Sequence, residues 1–114
     1  TKAVGECDAL YIPTDNTIAN NTEIVKNVAV PAGIPVVTGE EGMCSGCGLA
    51  TLSISYYDLG VKAAEMAYEI LTNGADPAQM AIGYVTDGIT EKYNADIAEA
   101  LDITIPEDMV AIEN

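Results

Sequence analysis

Two polar clusters hold the side chains with the most chemistry to offer. The first is Thr14-Asp15-Asn16, a hydroxyl, a carboxylate and an amide in succession; the second is Thr38-Gly39-Glu40-Glu41. A carboxylate in such a cluster can receive a ligand ammonium by a charge-assisted hydrogen bond. Where a helix starts at the cluster, its first N–H groups can receive a carboxylate. Each residue also has an ordinary structural use. Thr, Asp and Asn are favoured helix N-caps, and capping needs only one of the three. Glu41 reads at least as well as part of a solvated acidic turn, so Glu40 is preferred in the second cluster. Ser55-Tyr56-Tyr57 offers a third candidate, with a Tyr ring able to stack on an aromatic ligand. Packing at a crossover is the weightier alternative there. The candidate ligand-binding residues are therefore Thr14, Asp15, Asn16, Glu40, Ser55 and Tyr56.

Cys44-Ser45-Gly46-Cys47 is the remaining motif. A thioredoxin-like redox pair should open a helix right after a strand. Here the pair falls in Gly39–Gly48, which holds four glycines and reads as a loop. A zinc or iron–sulfur site needs more ligands than these two and Cys7, and the chain has no His. That leaves a local disulfide between Cys44 and Cys47, or two free thiols, with Cys7 odd. No cofactor and no metal are expected.

The elements that must position these residues can be read from hydrophobic spacing. Ala9 to Pro13 and Ile34 to Thr38 are short, β-branched or aromatic runs, each ending in one of the two clusters. A helix between them, roughly Thr17 to Val28, makes a βαβ unit with parallel strands. Its stripe is Ile18, Val25, Val28 and Ala29, and Pro31 and Gly33 stop it. Parallel strands bring their carboxyl ends to one edge, where open α/β sheets bind ligands. Leu49 to Ser55 alternates with period two. A long helix follows, about Tyr57 to Asn73, with Leu59, Ala63, Met66, Ala67, Ile70 and Leu71 on one face. Ile82 to Thr86 reads as a strand and Ile89 to Tyr93 as a further extended segment. Asn94 caps a short helix, Ala95 to Leu101. The tail from Ile103 to Asn114 is read as helical near Asp108 to Ile112.

The composition limits the partners. The chain has 114 residues, with 18 acidic and 4 basic side chains and a net charge of −14. Nothing in that balance neutralises several phosphates, which disfavours nucleic acid as a partner and equally disfavours electrostatic attachment to an anionic membrane. Apolar residues make up 49% of the chain, which predicts a packed core built without Phe or Trp. The fold class is α/β. The thin sheet leaves edges uncovered, so the chain reads as a piece of a larger fold or one that pairs with another copy.

The segments DALYIPTDNTIA, IPVVTGEEGM, GLATLSISYYDLG, VKAAEMAYEIL and DITIPEDM, in this order, resemble ABC-transporter substrate-binding proteins. The likeness is greatest to the branch of tryptophan- and tyrosine-binding lipoproteins with a type I periplasmic-binding-protein fold. It spans nearly all of this chain but only the last third of a typical member. The resemblance implies a partial three-layer, parallel-sheet α/β sandwich. Residues 1–48 would supply the second-lobe βαβ, 49–75 a hinge strand and a first-lobe helix, and 76–114 a return segment. It implies an amino acid or similar small solute as ligand and an ABC permease as partner. It also implies an extracellular or periplasmic location with a lipid anchor on the parent protein, and no catalysis. Thr14, Asp15 and Glu40 fall on cleft-facing positions of the family pattern. The paired cysteines and Pro31 depart from it. Two other classes compete: a Mg²⁺ enzyme using the clustered carboxylates, and a self-associating structural piece.

Overall fold

A computed structural model describes residues 1–113. The chain forms two compact units. One comprises Thr1–Ser53 together with the segment from Thr90 onward, and the other comprises Ile54–Ile89.

The first unit is a mostly parallel sheet with helices. Strands β1 (Leu10–Ile12), β2 (Val36–Thr38) and β3 (Ala50–Ser53) run parallel, with Leu10 paired to Val36, Ile12 to Thr38 and Thr38 to Thr51. Strand β4 (Thr90–Tyr93) is antiparallel to β3, pairing Ser53 with Thr90 and Ala50 with Tyr93. Strand β5 (Val110–Ala111) adds in parallel to β4. The sheet order is the order in sequence, and β3–β4 is the one antiparallel pairing, so β4 and β5 both run against β1–β3. β5 corrects the helix expected near Asp108–Ile112. A parallel edge bond satisfies this segment, with Ile112 N–H donating to the Tyr93 carbonyl at 2.8 Å, and Ile112 is buried beside it.

The helix between β1 and β2 is two helices. α1 (Asn16–Ala19) ends at Asn20, and α2 (Thr22–Ala29) starts after Asn21. Two consecutive Asn residues have poor helix propensity and bond readily to nearby backbone, and Asn21 Nδ2 donates to the Thr17 carbonyl. The break keeps Ile18, Val25, Val28 and Ala29 inward, with Ala29 fully buried.

Residues 41–47 form helix α3 (Glu41–Cys47), which overturns the loop expected across Gly39–Gly48. Its glycines are there for close approach, not for turning. A Cβ on Gly46 would lie 2.3 Å from the Thr22 hydroxyl oxygen, so α3 packs on α2 only because the side chain is absent. Met43, Cys44 and Cys47 form the inward stripe and are buried. Cys44 and Cys47 are free thiols and not a disulfide. One helical turn holds the Cβ atoms of such a pair about 5–6 Å apart, beyond the ~4 Å that a disulfide needs. The Cys44 thiol donates to the Gly48 carbonyl at 3.5 Å instead.

The alternation in β3 is present, and its hydroxyl face is the buried one. Thr51 and Ser53 are 3% and 7% exposed, whereas Leu52 is 55% exposed. Tyr11 and Val37 are likewise exposed, on the residues that alternate with the inward Ile12 and Thr38. Helix α5 (Ala95–Ala100) starts at Asn94, whose Oδ1 accepts from Ile97 N–H. Ile97 and Ala98 join Leu49 in a core cluster, with Val30, Tyr93, Leu101, Ile103 and Ile105 packed around it.

The second unit is built on α4 (Tyr56–Asn73), ended by Gly74 in the left-handed region at φ 70°. None of its residues is fully buried. Met66 and Ile70 are half-buried beside Pro77–Gly83, while Leu71 is 84% exposed. Residues 82–86 form no strand, which corrects the reading from their β-branched composition: no neighbouring strand is in place to accept a ladder among the described residues.

Candidate functional site

The carboxyl ends of β1 and β2 lie side by side. The Gly39 N–H donates to the Ile12 carbonyl at 2.9 Å, which extends the ladder one step past Thr38. A Cβ on Gly39 would stand 2.7 Å from both the N and the hydroxyl oxygen of Thr14. The absence of a side chain at residue 39 therefore lets the two clusters touch. Helices α1 and α3, which start at these clusters, are also in contact.

Within this edge, the acids have structural work. Asp15 has extended backbone, and its Oδ1 accepts from Ile18 N–H at 2.9 Å, so it caps α1. Glu40 caps α3 with both oxygens: Oε2 accepts from Gly42 N–H at 2.8 Å and Oε1 from Met43 N–H. The Thr38 hydroxyl in turn donates to the Glu40 carbonyl at 3.1 Å. These caps correct one expectation. The Ile18, Gly42 and Met43 N–H groups are already bonded to the protein's own carboxylates and do not stand ready for a ligand's. A carboxylate has about four acceptor positions, so capping leaves Asp15 and Glu40 able to accept further donors. Thr14 and Asn16 are exposed at the same edge, Asn16 as the first residue of α1.

Ser55 and Tyr56 belong to the second unit. The Ser55 hydroxyl accepts from Asp58 N–H at 3.1 Å and caps α4, and Tyr56 is exposed on the first turn.

Sequence reasoning passed over a trio at the strand edge. Glu41 Oε2 accepts from the Lys92 ammonium at 2.8 Å and from the Ser53 hydroxyl at 3.0 Å. The bond to Lys92 is the main cause that lowers the Glu41 carboxyl below its ordinary value of 4.5, against the opposing effect of burial. Glu41 is thus an anchored group and not part of a free acidic turn. The signal available in sequence was the run of hydroxyls at alternate positions, Thr51 and Ser53, on a strand otherwise apolar. Burial pushes the Cys44 thiol up to about 11 and raises Cys47 as well, which removes both from thiolate chemistry at neutral pH. Among the described residues, no group of three or more His, Cys, Asp or Glu is placed to hold a metal ion.

A parallel sheet with its polar strand ends gathered at one edge is the arrangement of an α/β ligand-binding domain. Residues 1–113 match the family model of the ABC transporter substrate binding proteins, and the chain belongs to that family. It is 47% identical over 68 residues to a tyrosine-binding protein of Clostridioides difficile (strain R20291), a match spanning 60% of this chain and 20% of that protein. It resembles the crystal structure of an ABC domain in complex with L-Trp from Streptococcus pneumonia, with a TM-score of 0.81 and 30% identity, covering 97% of this chain and 39% of that one. It also resembles the ligand-free, open structure of a substrate binding protein with adhesive properties from Clostridium difficile. That match has a TM-score of 0.72 and 36% identity and covers 98% of this chain and 38% of the other. The chain therefore spans well under half the length of these relatives. No helix among the described residues is long and apolar enough to cross a membrane.

Proposed function

We propose that this chain forms part of the solute-binding component of an ABC importer, and that its solute is an amino acid or a similarly small molecule. The observation that carries the reading is the Ile12–Gly39 bond, which sets Thr14-Asp15-Asn16 against Glu40 at the sheet's ligand edge. Asp15 and Glu40 offer acceptors for an ammonium, and Thr14 and Asn16 offer donors for a carboxylate. The two groups of an α-amino acid need this combination. The names of the relatives support tyrosine and tryptophan as the first solutes to try.

Ser55 and Tyr56 are proposed as further ligand residues in the full-length protein, Tyr56 by stacking on an aromatic solute. The mechanism is a shift of an open–closed equilibrium towards closed when solute binds, with no bond broken. We propose that the parent protein works outside the cytoplasmic membrane, carries a lipid anchor there and delivers its solute to an ABC permease; membership of the family supports this reading. Thermal unfolding of the full-length protein tests the reading. L-tyrosine or L-tryptophan is expected to raise Tm in a concentration-dependent way, by mass action on the folded state. A full panel of amino acids giving no rise overturns it.

A further inference from the structure

We infer that Lys92 is a positioning residue for the strand-end site. Through Glu41 and Ser53 it clamps the ends of β3 and β4 to the first turn of α3, and so fixes the backbone that presents Glu40. The inference rests on the reading that this edge receives an amino-acid solute.

Three elements meet on a single oxygen. Glu41 Oε2, on the first turn of α3, takes one bond from Ser53 on β3 and one from Lys92 on β4. Lys92 lies 51 residues away in sequence, so the contact ties the returning strand to the ligand edge. The clamp continues inward through hydroxyls. Thr51, paired with Lys92 across the ladder, donates to the Thr38 carbonyl at 2.9 Å, and Thr38 donates to the Glu40 carbonyl. Thr38, Thr51 and Ser53 are all buried.

An apolar strand face would bury more favourable surface, yet this face is polar where it nears the edge, and among the described residues every buried side-chain polar atom is satisfied. Such a network sets geometry more than it adds stability. Lys92 and Glu41 are 26% and 39% exposed, so their pair contributes little to global stability, as exposed ion pairs do. Its effect should therefore be seen in solute affinity, since a site must be held within about 0.5 Å of its productive geometry to bind well.

The test is calorimetric binding of L-tyrosine and L-tryptophan to the full-length protein and its variants. Lys92→Met and Glu41→Gln are each expected to weaken binding about tenfold, and the double variant by no more than the worse single, because both break one unit. Lys92→Arg is expected to restore affinity to within about threefold, since it keeps a cation and donors in place. Lys92→Gln replaces Lys92→Met if the latter does not fold. A wild-type protein that binds, with Lys92→Met and Glu41→Gln binding equally well, overturns the inference alone. Losses that track the fall in Tm and that Arg does not rescue also overturn it, because they show a merely structural role. Where neither binds, the full amino-acid panel supplies the probe, and a wild-type protein that binds none of the panel overturns the functional reading and the inference with it.

Discussion

The Gly39 amide donates to the Ile12 carbonyl at 2.9 Å, and this bond carries the β1–β2 ladder past its last paired residues into the polar edge. It joins two clusters that are more than twenty residues apart in the chain. The contact is close enough that Thr14 occupies the space a residue-39 side chain would need.

Gly39→Ala follows directly. The added methyl would lie 2.7 Å from the Thr14 amide nitrogen as well as from its hydroxyl oxygen, and backbone cannot swing aside as a side-chain tip can. The strand ends must part by a few tenths of an ångström. Overpacking of this kind costs about 1–3 kcal/mol, and urea unfolding of the full-length protein should show it. Solute affinity should fall with it, because the parted ends no longer present Asp15 and Glu40 together.

Asp15 separates capping from ligand contact. Asn caps helices about as well as Asp. Asp15→Asn should therefore leave stability within about 0.5 kcal/mol of wild type. If the carboxylate receives the solute's ammonium, the same variant should lose at least tenfold in affinity, since a charge-assisted bond becomes a neutral one. Asp15→Ala removes the bond to Ile18 N–H as well, and should lose about 1 kcal/mol of stability in addition. Calorimetry and urea unfolding on the two variants distinguish the roles.

The β1–β2 pair was legible because an apolar, β-branched run that ends in capping residues is a strong local pattern. Asn94 was legible for the same reason: its position before Ala95-Asp96-Ile97-Ala98 is that of a cap, and it is one. Helix α3 was hidden by composition. Gly42, Gly46 and Gly48 lower helix propensity, and their purpose lies in what they touch, such as Thr22 against Gly46 and Thr38 against Gly48. No single-chain pattern reports such contacts. The inward stripe Met43, Cys44 and Cys47 was present, and outweighed. The Lys92–Glu41 pair was out of reach, because its partners meet only once β4 has returned beside β3.

Asn94 is the interior residue whose loss should cost most. It is 3% exposed, and its amide donates to the Cys44 carbonyl at 3.2 Å and to the Ser45 carbonyl at 2.9 Å. Its oxygen caps α5. Asn94→Ala removes a cap and leaves the end of α3 short of donors in a buried place. Each loss is worth roughly 1–2 kcal/mol, so the midpoint of urea unfolding should drop clearly. Asn94→Asp keeps the cap but sets a carboxylate against two carbonyl oxygens, and should be at least as damaging.

Glu41 gives the protein a pH signature whose sign can be worked out. Its carboxyl is held below the ordinary value of 4.5 in the folded chain, chiefly by the Lys92 ammonium and also by the Ser53 hydroxyl. A depressed folded value means that the ionised form is favoured by folding, so its contribution is fully present above 4.5 and is lost as pH falls below that through the lowered folded value. The partial exposure of both partners screens the pair, which limits the contribution to about 0.2–1 kcal/mol. Wild type and Glu41→Gln should be unfolded with urea at several points between about pH 3 and pH 7. The stability difference between them should stay level above about pH 5 and shrink towards lower pH as wild-type Glu41 takes up its proton. A difference that stays constant across the range, or grows as pH falls, would show that Lys92 does not hold this carboxylate in the charged state.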